Sequence, residues 1–523
     1  MNTVGMRLVE GLHARGVEVV FGIPGVHTVE MYRGLSGSPV RHVTARHEQG
    51  CAFMADGYAR ATGKPGVALV ITGPGLTNAL TAMAQAREDS VPMLVISGVN
   101  RRASLGKGWG LLHELPDQQA MVATLCPTRR ITAPDQVAET LDWAFATMAT
   151  GRPGPVHIEV PTDVMPMECP ALPAPTPPLP RVAASGLDRA AALLNATEKL
   201  VILAGGGTRG QEAALRALAE RLDAPVVQTI NARGQMHGHP LTVPASPSLS
   251  SVRRLIHDAD RVLAIGTEFG WTDYDMYVQG DLPARPDMIR IDACAEQLAR
   301  LPAALTLQGD AGATMTALLP LLAQHRADGA PRAERARVRA RAEIGQLEPQ
   351  MPQRLEMVEV IRAALPGCLI VGDSTQPIYA GNLYYDHDRP GGWFNAASGY
   401  GALGYGPGAA VGAAVGTPGV KVVCLVGDGG LQFSPGELRT AVDERLPITF
   451  LVWNNAAYNE IADAMRAANT EVIGCHPSPL KMEPFAAACD LPFTSVPLDP
   501  EALHWALAQP QDGPRLIEVR VTA

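Results

Sequence analysis

VVCLVGDGG, residues 422–430, is the segment from which the fold of the chain is most clearly predicted. Its apolar run is typical of a buried strand and ends in a glycine-rich turn. Ser434-Pro435-Gly436-Glu437 then predicts a capping box with proline at the first position of a helix. A second apolar run, ITFLVWNN at 448–455, ends on two asparagines. Because strand–helix–strand units form parallel pairs, the pattern predicts that Asp428 and Asn455 lie at the same edge of one sheet.

The residue types at this edge predict a metal and diphosphate site. A carboxylate from Asp428 and an amide oxygen from Asn455 suit Mg²⁺, a hard cation that keeps phosphate oxygens and water as its other ligands. Gly427, Gly429 and Gly430 allow backbone N–H groups to approach a phosphate without a side chain in the way. Either motif alone is more often an ordinary turn, but their spacing within one strand–helix–strand unit favours the functional interpretation.

The same order of apolar run, glycine-rich turn and amphipathic helix recurs in the two preceding parts of the chain, from residue 67 and from residue 200. A run of Pro, Ala and Leu at 170–180 predicts an extended linker, and the prolines at 349 and 352 predict a second break. The sequence therefore predicts an α/β protein of three doubly wound parallel-sheet domains, at 1–169, 181–325 and 353–523.

Composition limits the classes of protein to which the chain can belong. Of its 523 residues 46% are hydrophobic and 18% are charged, which is too apolar for a disordered chain. A formal net charge of −9 argues against a nucleic-acid-binding protein. The N-terminus lacks the features of a signal peptide, no apolar run approaches the roughly 20 residues that span a bilayer, and the eight cysteines are scattered. These observations predict a cytoplasmic protein with free thiols and no membrane partner.

The Gly-Asp-Gly turn followed at this spacing by Asn-Asn resembles the signature of the thiamine-diphosphate-dependent enzymes, the family of acetolactate synthase and of the pyruvate and benzoylformate decarboxylases. The resemblance implies the thiamine-diphosphate-binding fold, whose N-terminal pyrimidine-binding, central and C-terminal diphosphate-binding domains match the three blocks in order. It also implies that Asp428, Asn455 and the carbonyl of Ala457 hold Mg²⁺, which bridges the diphosphate of the cofactor. A homodimer or homotetramer with sites at the subunit interface is implied as well.

The first block resembles the part of this family that activates the cofactor. Within RHEQG, residues 46–50, the activating carboxylate is assigned to Glu48. Such a carboxylate, bonded to the aminopyrimidine ring, favours the imino form that removes the proton from the reactive carbon. Thr72 and Asn78, in the turn and helix after the apolar run at 67–71, are assigned to cofactor binding.

A glycine-rich segment, SGYGALGYG at 398–406, resembles the part of the family that shapes the cofactor. There a bulky apolar side chain supports the bend that brings the amino group to the reactive carbon, and this position falls on Leu403. The carbonyl of Gly401 is assigned to accept the hydrogen bond of that amino group. By itself the segment also fits a plain glycine-rich entry into a helix.

The residues expected at the substrate end depart from the common family patterns. GIPGVH, residues 22–27, resembles the first active-site turn and points to Val26 and His27, and His113 is assigned a catalytic role where pyruvate decarboxylases carry a His-His pair. Two carboxylates, Glu114 and Glu460, would suit a cationic substrate tail, since a carboxylate binds a guanidinium group through two parallel hydrogen bonds. They are equally compatible with a structural or solvated pair of glutamates.

Within the family the chain resembles 5-guanidino-2-oxopentanoate decarboxylase through residues 22–35, 41–50 and 99–118. The expected function is therefore thiamine-diphosphate- and Mg²⁺-dependent decarboxylation of a 2-oxo acid to the aldehyde and CO₂. An acetolactate-synthase-like carboligase acting on pyruvate is the alternative, although the Phe-Gln pair of those enzymes is absent from the loop around His113.

The central block carries a motif typical of a different cofactor. Gly205, Gly207 and Gly210 follow an apolar run with the spacing of a dinucleotide-binding turn, which leaves a dehydrogenase as a further alternative. No convincing acidic residue ends the next strand, so NAD is not expected. FAD, which some relatives bind in this domain, is not expected either, because residues 266–270 depart from the arginine-containing segment that those relatives use.

Overall fold

The structure, a computed structural model, describes residues 2–177, 181–276 and 285–521. Its strands form three six-stranded parallel sheets that are covered by helices. The predicted α/β class with three doubly wound sheets is therefore confirmed.

The first sheet and its helices lie in the N-terminal part of the chain. The strands are β1 (Val19–Gly22), β2 (Arg41–Thr44), β3 (Gly66–Val70), β4 (Met93–Val99), β5 (Thr128–Arg130) and β6 (Pro155–Pro161). The helices are α1 (Val4–Ala14), α2 (Val29–Leu35), α3 (Glu48–Thr62), α4 (Pro74–Glu88), α5 (Gln118–Ala123) and α6 (Val137–Ala149). The strand order is β2-β1-β3-β4-β6-β5, so the winding changes direction between β1 and β3. Ligands of such sheets bind at the carboxyl ends of the strands beside this point.

The second sheet is built from the central part of the chain. Its strands are β7 (Leu200–Ala204), β8 (Val226–Gln228), β9 (Thr242–Val243), β10 (Arg261–Ile265), β11 (Ile289–Asp292) and β12 (Leu305–Gln308). Its helices are α7 (Leu187–Asn195), α8 (Glu212–Leu222), α9 (Ser250–His257), α10 (Trp271–Tyr274), α11 (Ala295–Ala299) and α12 (Ala311–Leu318). The strand order is β12-β11-β10-β7-β8-β9. Its core consists of side chains from β7, β10 and β11 and from the faces of α7, α8 and α12.

The third sheet follows two long helices, α13 (Gly329–Leu347) and α14 (Met351–Ala364). Its strands are β13 (Leu369–Gly372), β14 (Trp393–Asn395), β15 (Val422–Gly427), β16 (Ile448–Asn454), β17 (Phe493–Pro497) and β18 (Arg515–Arg520). Its helices are α15 (Gln376–Leu383), α16 (Tyr405–Gly416), α17 (Asp428–Leu431), α18 (Glu437–Asp443), α19 (Asn459–Ala467), α20 (Met482–Ala488) and α21 (Pro500–Ala508). The strand order is β14-β13-β15-β16-β18-β17.

The chain packs as two compact units. One consists of residues 1–179, 400–494 and 510–518, and the other of 180–399, 495–509 and 519–523. In the first unit the backbones of α3 and α16 touch. A Cβ added at Gly57 would overlap the carbonyl oxygen of Ala409, and one added at Gly412 would overlap that of Met54. Glycine is therefore required at both positions for the two helices to approach this closely.

The two predicted breaks differ in length. Residues 170–177 form no helix or strand, as expected of a proline-rich linker, and 178–180 lie outside the described residues. At the second break α13 ends at Leu347 and α14 begins at Met351. Pro352 lies in the first turn of α14, where a backbone N–H would have no partner within the helix, so proline is tolerated. The block boundary placed at 353 thus falls inside α14, and the domain boundaries stay a prediction.

The cysteines have the surroundings of structural thiols. All eight are free, and all but Cys294 are buried. Burial raises the pKa of Cys126 and of Cys368 to about 12, so these thiols stay protonated and unreactive at neutral pH. Within the described parts of the chain, no helix is both long enough and apolar enough to cross a membrane.

Candidate active site

Asp428 lies at the carboxyl end of β15 and begins the short helix α17. β15 and β16 pair in parallel in a register that sets Gly427 opposite Trp453. The Asp428 side chain is buried, and one of its carboxylate oxygens accepts a hydrogen bond from the backbone N–H of Asn455 at 3.3 Å. The structure therefore brings together the two residues that the sequence singled out at this edge of the sheet.

The chain leaves β16 in a conformation that few residues adopt. Ala456 has φ +55°, in the left-handed region, and its N–H donates to the side chain of Asn454 at 3.1 Å. The amide oxygen of Asn455 accepts the N–H of Ala457 at 3.2 Å. Backbone strain of this kind costs about 1–3 kcal/mol and is concentrated at functional sites. The turn holds two of the three predicted metal ligands, Asn455 and Ala457, in one tight loop beside the third, Asp428.

The surroundings of Asp428 fit a bound cation. Burial raises the pKa of its carboxyl group, and N–H groups of the backbone donate to it. In the part of the chain that the structure describes, no Lys, Arg or His forms an ion pair with it, and a buried charge without a counter-charge is costly. Among those residues there is no group of three or more His, Cys, Asp or Glu side chains that could hold a metal ion. A metal at this turn would rely on the amide and carbonyl oxygens of Asn455 and Ala457, which suit Mg²⁺.

The capping box predicted at Ser434 and Glu437 is wrong, although α18 does begin at Glu437. The Ser434 hydroxyl donates to the carbonyl of Gly404 at 2.7 Å. The Glu437 carboxylate accepts the backbone N–H groups of Arg46 and His47. Both side chains thus bond to segments that are distant in the sequence, which a local pattern cannot reveal.

The glycine-rich segment before α16 lies close to the Asp428 turn. The hydrogen bond from Ser434 to Gly404 ties it to the residues that follow α17. Gly401 has φ +76°, a conformation that favours glycine, and apart from residues 400–402 no described residue has an atom within 4 Å of the position that a Cβ would take. Leu403, two residues later, is half-buried. The segment therefore offers a free backbone face and an apolar side chain, the two features assigned to the bend of the cofactor.

Glu48 is the first residue of α3. The side-chain amide of Asn78 donates to its carboxylate at 2.9 Å, and the Glu48 side chain is partly exposed. A Cβ added at Gly75, in the first turn of α4, would lie 3.5 Å from the same carboxylate. A negative charge at the N-terminus of α3 is favoured by the helix dipole. Of the residues predicted to contact the cofactor on this side, Asn78 thus orients Glu48 directly.

Three polar side-chain atoms on the loops of the first sheet are buried and have no hydrogen-bond partner among the described residues: Nδ1 of His27, Oγ1 of Thr72 and Nδ1 of His113. They follow β1, β3 and β4, the neighbouring strands at which the first sheet changes direction. The two imidazole rings meet edge to face with centroids 5.3 Å apart. Burial, and after it the charge of His113, lowers the pKa of His27, which is therefore neutral at neutral pH. Buried polar atoms without partners are rare, so this group indicates a place for a ligand or water.

Glu114 shapes its own loop. Its carboxylate accepts the N–H groups of Leu111 at 2.9 Å and Trp109 at 3.2 Å, and these backbone bonds, that of Leu111 above all, lower its pKa. Three glycines with positive φ, at 106, 108 and 110, make up much of this loop. His113 itself has φ +61°. The acidic side chain thus holds together a loop that has little regular structure of its own.

The remaining residues predicted at the substrate end differ in their exposure. Val26 lies on the loop after β1 with 69% of its surface exposed. Glu460 lies in the first turn of α19, half-buried, and follows the Asn455 turn closely in the chain.

A buried polar network beneath the His113 loop was missed by the sequence reasoning. Gln118 accepts the N–H of Gly73 at 3.0 Å and donates to the hydroxyl of Ser97 at 3.1 Å and to the carboxylate of Glu159 at 3.0 Å. The network thereby holds the turn after β3, from which α4 begins. Its members are far apart in the sequence, so no local pattern points to them.

A buried ionic cluster joins α3, α4 and α16, and it was missed for the same reason. Arg60 donates to Asp56 at 2.7 Å and to Asp89 at 2.6 Å, and the hydroxyl of Tyr405 donates to Asp56 at 2.6 Å. Burial opposes the charge of Arg60, but Asp56 and Asp89 hold its pKa well above the usual range. We therefore treat the cluster as a positive charge between two carboxylates.

The two halves of the candidate site contact different ends of α4. Asn78, near the start of the helix, bonds Glu48, whereas Gln85 accepts the N–H of Ala402 at 3.2 Å, next to Leu403. Seven residues of α-helix correspond to about 10 Å. Within one chain, Glu48 therefore lies about 10 Å along α4 from the segment assigned to the bend of the cofactor.

The glycine motif of the central block has a structural explanation. A Cβ added at Gly205 would overlap the carbonyl oxygen of Gly266, and the N–H of Gly207 donates to that same oxygen at 3.0 Å. The glycines let the turns after β7 and β10 pack against each other. That neither NAD nor FAD binds here stays a prediction.

Models of one protein family match all three parts of the chain. The N-terminal TPP binding domain of thiamine pyrophosphate enzymes matches residues 2–121, their central domain matches 187–318, and their C-terminal TPP binding domain matches 373–519. Together these matches cover most of the sequence, in the order that the resemblance implied.

Individual proteins show the same relationship. The chain is 43% identical over 485 residues to a probable 2-ketoarginine decarboxylase of Pseudomonas aeruginosa, covering 91% of this chain and 86% of that protein. It is 28% identical over 539 residues to the large subunit of acetolactate synthase isozyme 1 of Escherichia coli, covering 99% and 93%. An X-ray structure from Mycobacterium smegmatis, described as a candidate thiamin diphosphate-dependent enzyme, superposes with a TM-score of 0.81 at 23% identity over 100% of this chain and 99% of that one. The superposition shows the shared fold.

Proposed function

Because the chain belongs to the family of thiamine pyrophosphate enzymes, we propose that it is a thiamine-diphosphate- and Mg²⁺-dependent 2-oxo acid decarboxylase. The proposed substrate is 5-guanidino-2-oxopentanoate, or 2-ketoarginine, and the products are CO₂ and the corresponding guanidino aldehyde. The observation that carries this choice is the 43% identity, over 91% of the chain, to a probable 2-ketoarginine decarboxylase.

The cofactor would be held mainly by the diphosphate-binding half of the site. Asp428, Asn455 and the carbonyl of Ala457 would bind Mg²⁺, and the N–H groups of the turn at 427–430 would bind the diphosphate. The buried Asp428 carboxylate, which the described residues leave without an ion pair, supports this assignment. Gly401 and Leu403 would hold the aminopyrimidine ring and its bend. When bound, thiamine diphosphate supplies a nucleophilic carbon for the oxo group and accepts the electron pair released with CO₂.

Proton transfer would depend on the N-terminal half. Glu48 would exchange a proton with the aminopyrimidine ring, in an orientation fixed by Asn78. His27, His113 and Thr72 would bind the carboxylate and oxo groups of the substrate, and a neutral imidazole at this place can also pass a proton to the product. The buried Nδ1 and Oγ1 atoms of these three residues, which find no hydrogen-bond partner in the described parts of the chain, support this assignment.

The guanidinium group needs a carboxylate, and we assign Glu460 to it because this residue lies in the first turn of α19, directly after the turn that holds Asn455. Glu114 already accepts two backbone N–H groups of its own loop, so we assign it a structural role. The pair Glu460→Gln and Glu114→Gln tests this division, with KM measured for 5-guanidino-2-oxopentanoate and for uncharged 2-oxohexanoate. Loss of a charged hydrogen-bond partner should raise KM for the guanidino acid about tenfold or more in Glu460→Gln, with no change for 2-oxohexanoate. Equal increases for both substrates would remove Glu460 from the guanidinium site.

A second candidate function is carboligation of pyruvate. It is favoured by the similarity to an acetolactate synthase large subunit over 99% of the chain. Both functions would use thiamine diphosphate and Glu48, and they differ in their products: decarboxylation of the 2-oxo acid yields an aldehyde and CO₂, whereas carboligation of pyruvate yields acetolactate and CO₂. Product analysis therefore separates them.

We further propose that the active unit is a homodimer, or a tetramer built from it, with each site completed by two chains. One pyrimidine ring would have to contact both Glu48 and Gly401, which in one chain lie at separate places along α4. Large apolar side chains are also exposed on the loops around both half-sites, at Val26, Trp109, Leu112, Tyr400 and Phe433. Exposed apolar groups of this kind are typical of an interface.

Mixed dimers test the shared site. A chain with Glu48→Gln and a chain with Asp428→Ala should each be inactive alone. When they are combined, one of the two sites in each mixed dimer regains both residues, so decarboxylation should return. Failure to recover any activity in purified mixed dimers would refute sites shared between chains.

The assay that tests the function itself is CO₂ release from pyruvate, benzoylformate and 5-guanidino-2-oxopentanoate, with thiamine diphosphate and Mg²⁺ present. We expect preference for the guanidino acid with the aldehyde as product, and Glu48→Gln as the inactive control. Acetolactate formed from pyruvate as the main activity would instead establish the carboligase. The free thiols support a cytoplasmic location, which cell fractionation would check.

A further inference from the structure

We propose that Glu437 is a positioning residue for Glu48 of the same chain, and that it acts by holding the backbone that leads into α3. The role of Glu48 in this statement rests on the proposed function. Glu437 is the first residue of α18, in the part of the chain that matches the C-terminal TPP binding domain. Its partners lie in the N-terminal part, directly before Glu48.

The hydrogen bonds of Glu437 converge on the two residues before Glu48. Its Oε1 accepts the N–H of Arg46 at 3.2 Å and the N–H of His47 at 3.1 Å, and its Oε2 lies 3.3 Å from the N–H of Arg46. Oε2 also accepts the hydroxyl of Thr440 at 2.8 Å. Only 1% of the Glu437 surface is exposed, so these bonds are shielded from water. Burial raises the pKa of the carboxyl group, and the bonds from Thr440, Arg46 and His47 oppose that rise.

The first turn of α3 is built around this carboxylate. A Cβ added at Gly50 would overlap Oε1 of Glu437, so glycine is needed two residues after Glu48 for the carboxylate to reach the backbone. Backbone N–H groups at the start of a helix have no partner within the helix. Glu437 supplies an acceptor for the N–H groups of Arg46 and His47 at the start of this helix. It thereby fixes the backbone from which the Glu48 side chain projects.

The same helix offers a matched control. Asp443, at the end of α18, forms an ion pair with the side chain of Arg46. Both groups of that pair are substantially exposed, and such pairs contribute little. Asp443→Asn therefore removes a charge from the same helix and the same partner residue, while it leaves the backbone bonds intact.

The first experiment uses the chain without cofactor. Amide hydrogen exchange at Arg46 and His47 is compared in the wild type, Glu437→Met, Glu437→Gln and Asp443→Asn. Met has a similar volume but no acceptor, so exchange should rise about tenfold or more; Gln keeps one acceptor oxygen and should show a smaller rise. Asp443→Asn should match the wild type. Exchange within twofold of the wild type in both Glu437 variants would overturn the proposal. Should Glu437→Met fail to fold, the comparison of Gln with wild type decides alone.

The second experiment places the substitution in one chain of the mixed dimer. The restored site uses Glu48 of the chain that carries Asp428→Ala. Glu437→Gln in that chain should lower kcat several-fold with KM little changed, whereas Glu437→Gln in the chain that carries Glu48→Gln should have no effect on the restored site. Equal losses from both placements would show a general structural role and overturn the proposal. If the mixed dimer has no activity, the shared site is refuted, and amide exchange still decides the role of Glu437.

Discussion

Replacing Arg60 with Met should destabilise the first unit strongly. The side chains of Arg60, Asp56 and Asp89 are 1%, 0% and 2% exposed, so the substitution leaves two carboxylates buried without their shared cation. Breaking a buried ion pair on one side costs about 3–5 kcal/mol. The loss of stability also has an upper bound, because a buried carboxylate without its cation can take up a proton instead of staying charged. Protonating an aspartate with an unfolded pKa of about 3.9 costs about 4 kcal/mol at pH 7.

Because the carboxylate takes up a proton, the loss of stability depends on pH. In Arg60→Met the pKa of one buried carboxyl lies above its unfolded value, so the folded protein binds more protons than the unfolded chain. Stability is then greatest at low pH and decreases as pH rises towards the folded-state pKa, by about 1.4 kcal/mol per pH unit. The loss relative to wild type should be about 4 kcal/mol at pH 7 and about 2 kcal/mol at pH 5.5.

Native-state hydrogen exchange of α3 amides gives the opening free energy of this region directly, without the assumption that 523 residues unfold in one step. Arg33→Met is the control, because Arg33 forms an exposed pair with Glu30 within a neighbouring helix. It should cost less than about 1 kcal/mol and show no such pH dependence. A loss below about 1 kcal/mol at pH 7 in Arg60→Met, or one that is the same at pH 5.5, would refute the ionic description of the cluster.

Four further substitutions, one of them a control, test other features. In thermal unfolding, Gly57→Ala should destabilise the first unit by at least about 1–3 kcal/mol, because the new Cβ overlaps the Ala409 carbonyl. Gly154→Ala is the control and should leave the stability unchanged, because the new Cβ enters open space. Burial, and then Arg130, lowers the pKa of His157 to about 3. On acidification to pH 5, His157 therefore becomes protonated in the unfolded chain but not in the folded protein. Stability should therefore fall by about 2 kcal/mol from pH 8 to pH 5, and denaturation of His157→Gln should lack this component. Asp428→Asn should weaken Mg²⁺ binding in titration calorimetry yet leave the metal-free protein at least as stable, since it removes a buried charge and keeps an acceptor for the Asn455 N–H. A clear loss of stability without metal would contradict that account.

The sequence predicted correctly that Asp428 and Asn455 lie together at one edge of a parallel sheet. Asp428 and Asn455 each end an apolar run, and parallel pairing of two such runs leaves few other places for them. The α/β class followed from the same alternation of apolar runs and helices. Glu48, Gly401 and Leu403 came from resemblance alone, because nothing in their immediate surroundings distinguishes them from ordinary residues of helix ends and turns.

What the sequence could not predict depends on contacts between distant segments. Ser434 and Glu437 have the spacing of a capping box, yet each bonds to backbone in another part of the chain. Glu114 was open to two interpretations because its two N–H partners belong to an irregular loop. Arg60 looks like a surface residue of an amphipathic helix until α4 and α16 are placed around it. In each case the sequence pattern shows which polar groups are present but does not predict their hydrogen-bond or ion-pair partners.

The contact between α3 and α16 has a consequence for synthesis on the ribosome. Residues 1–179 and 400–494 belong to one compact unit, but residues 180–399 are translated between them. At about 5–20 residues per second, the first segment waits roughly 10–45 s for the second. Throughout that interval the face of α3 around Gly57, shaped to touch another backbone, lacks its partner. The nascent N-terminal segment should therefore bind chaperones that recognise unpaired apolar helices, and release should coincide with emergence of α16.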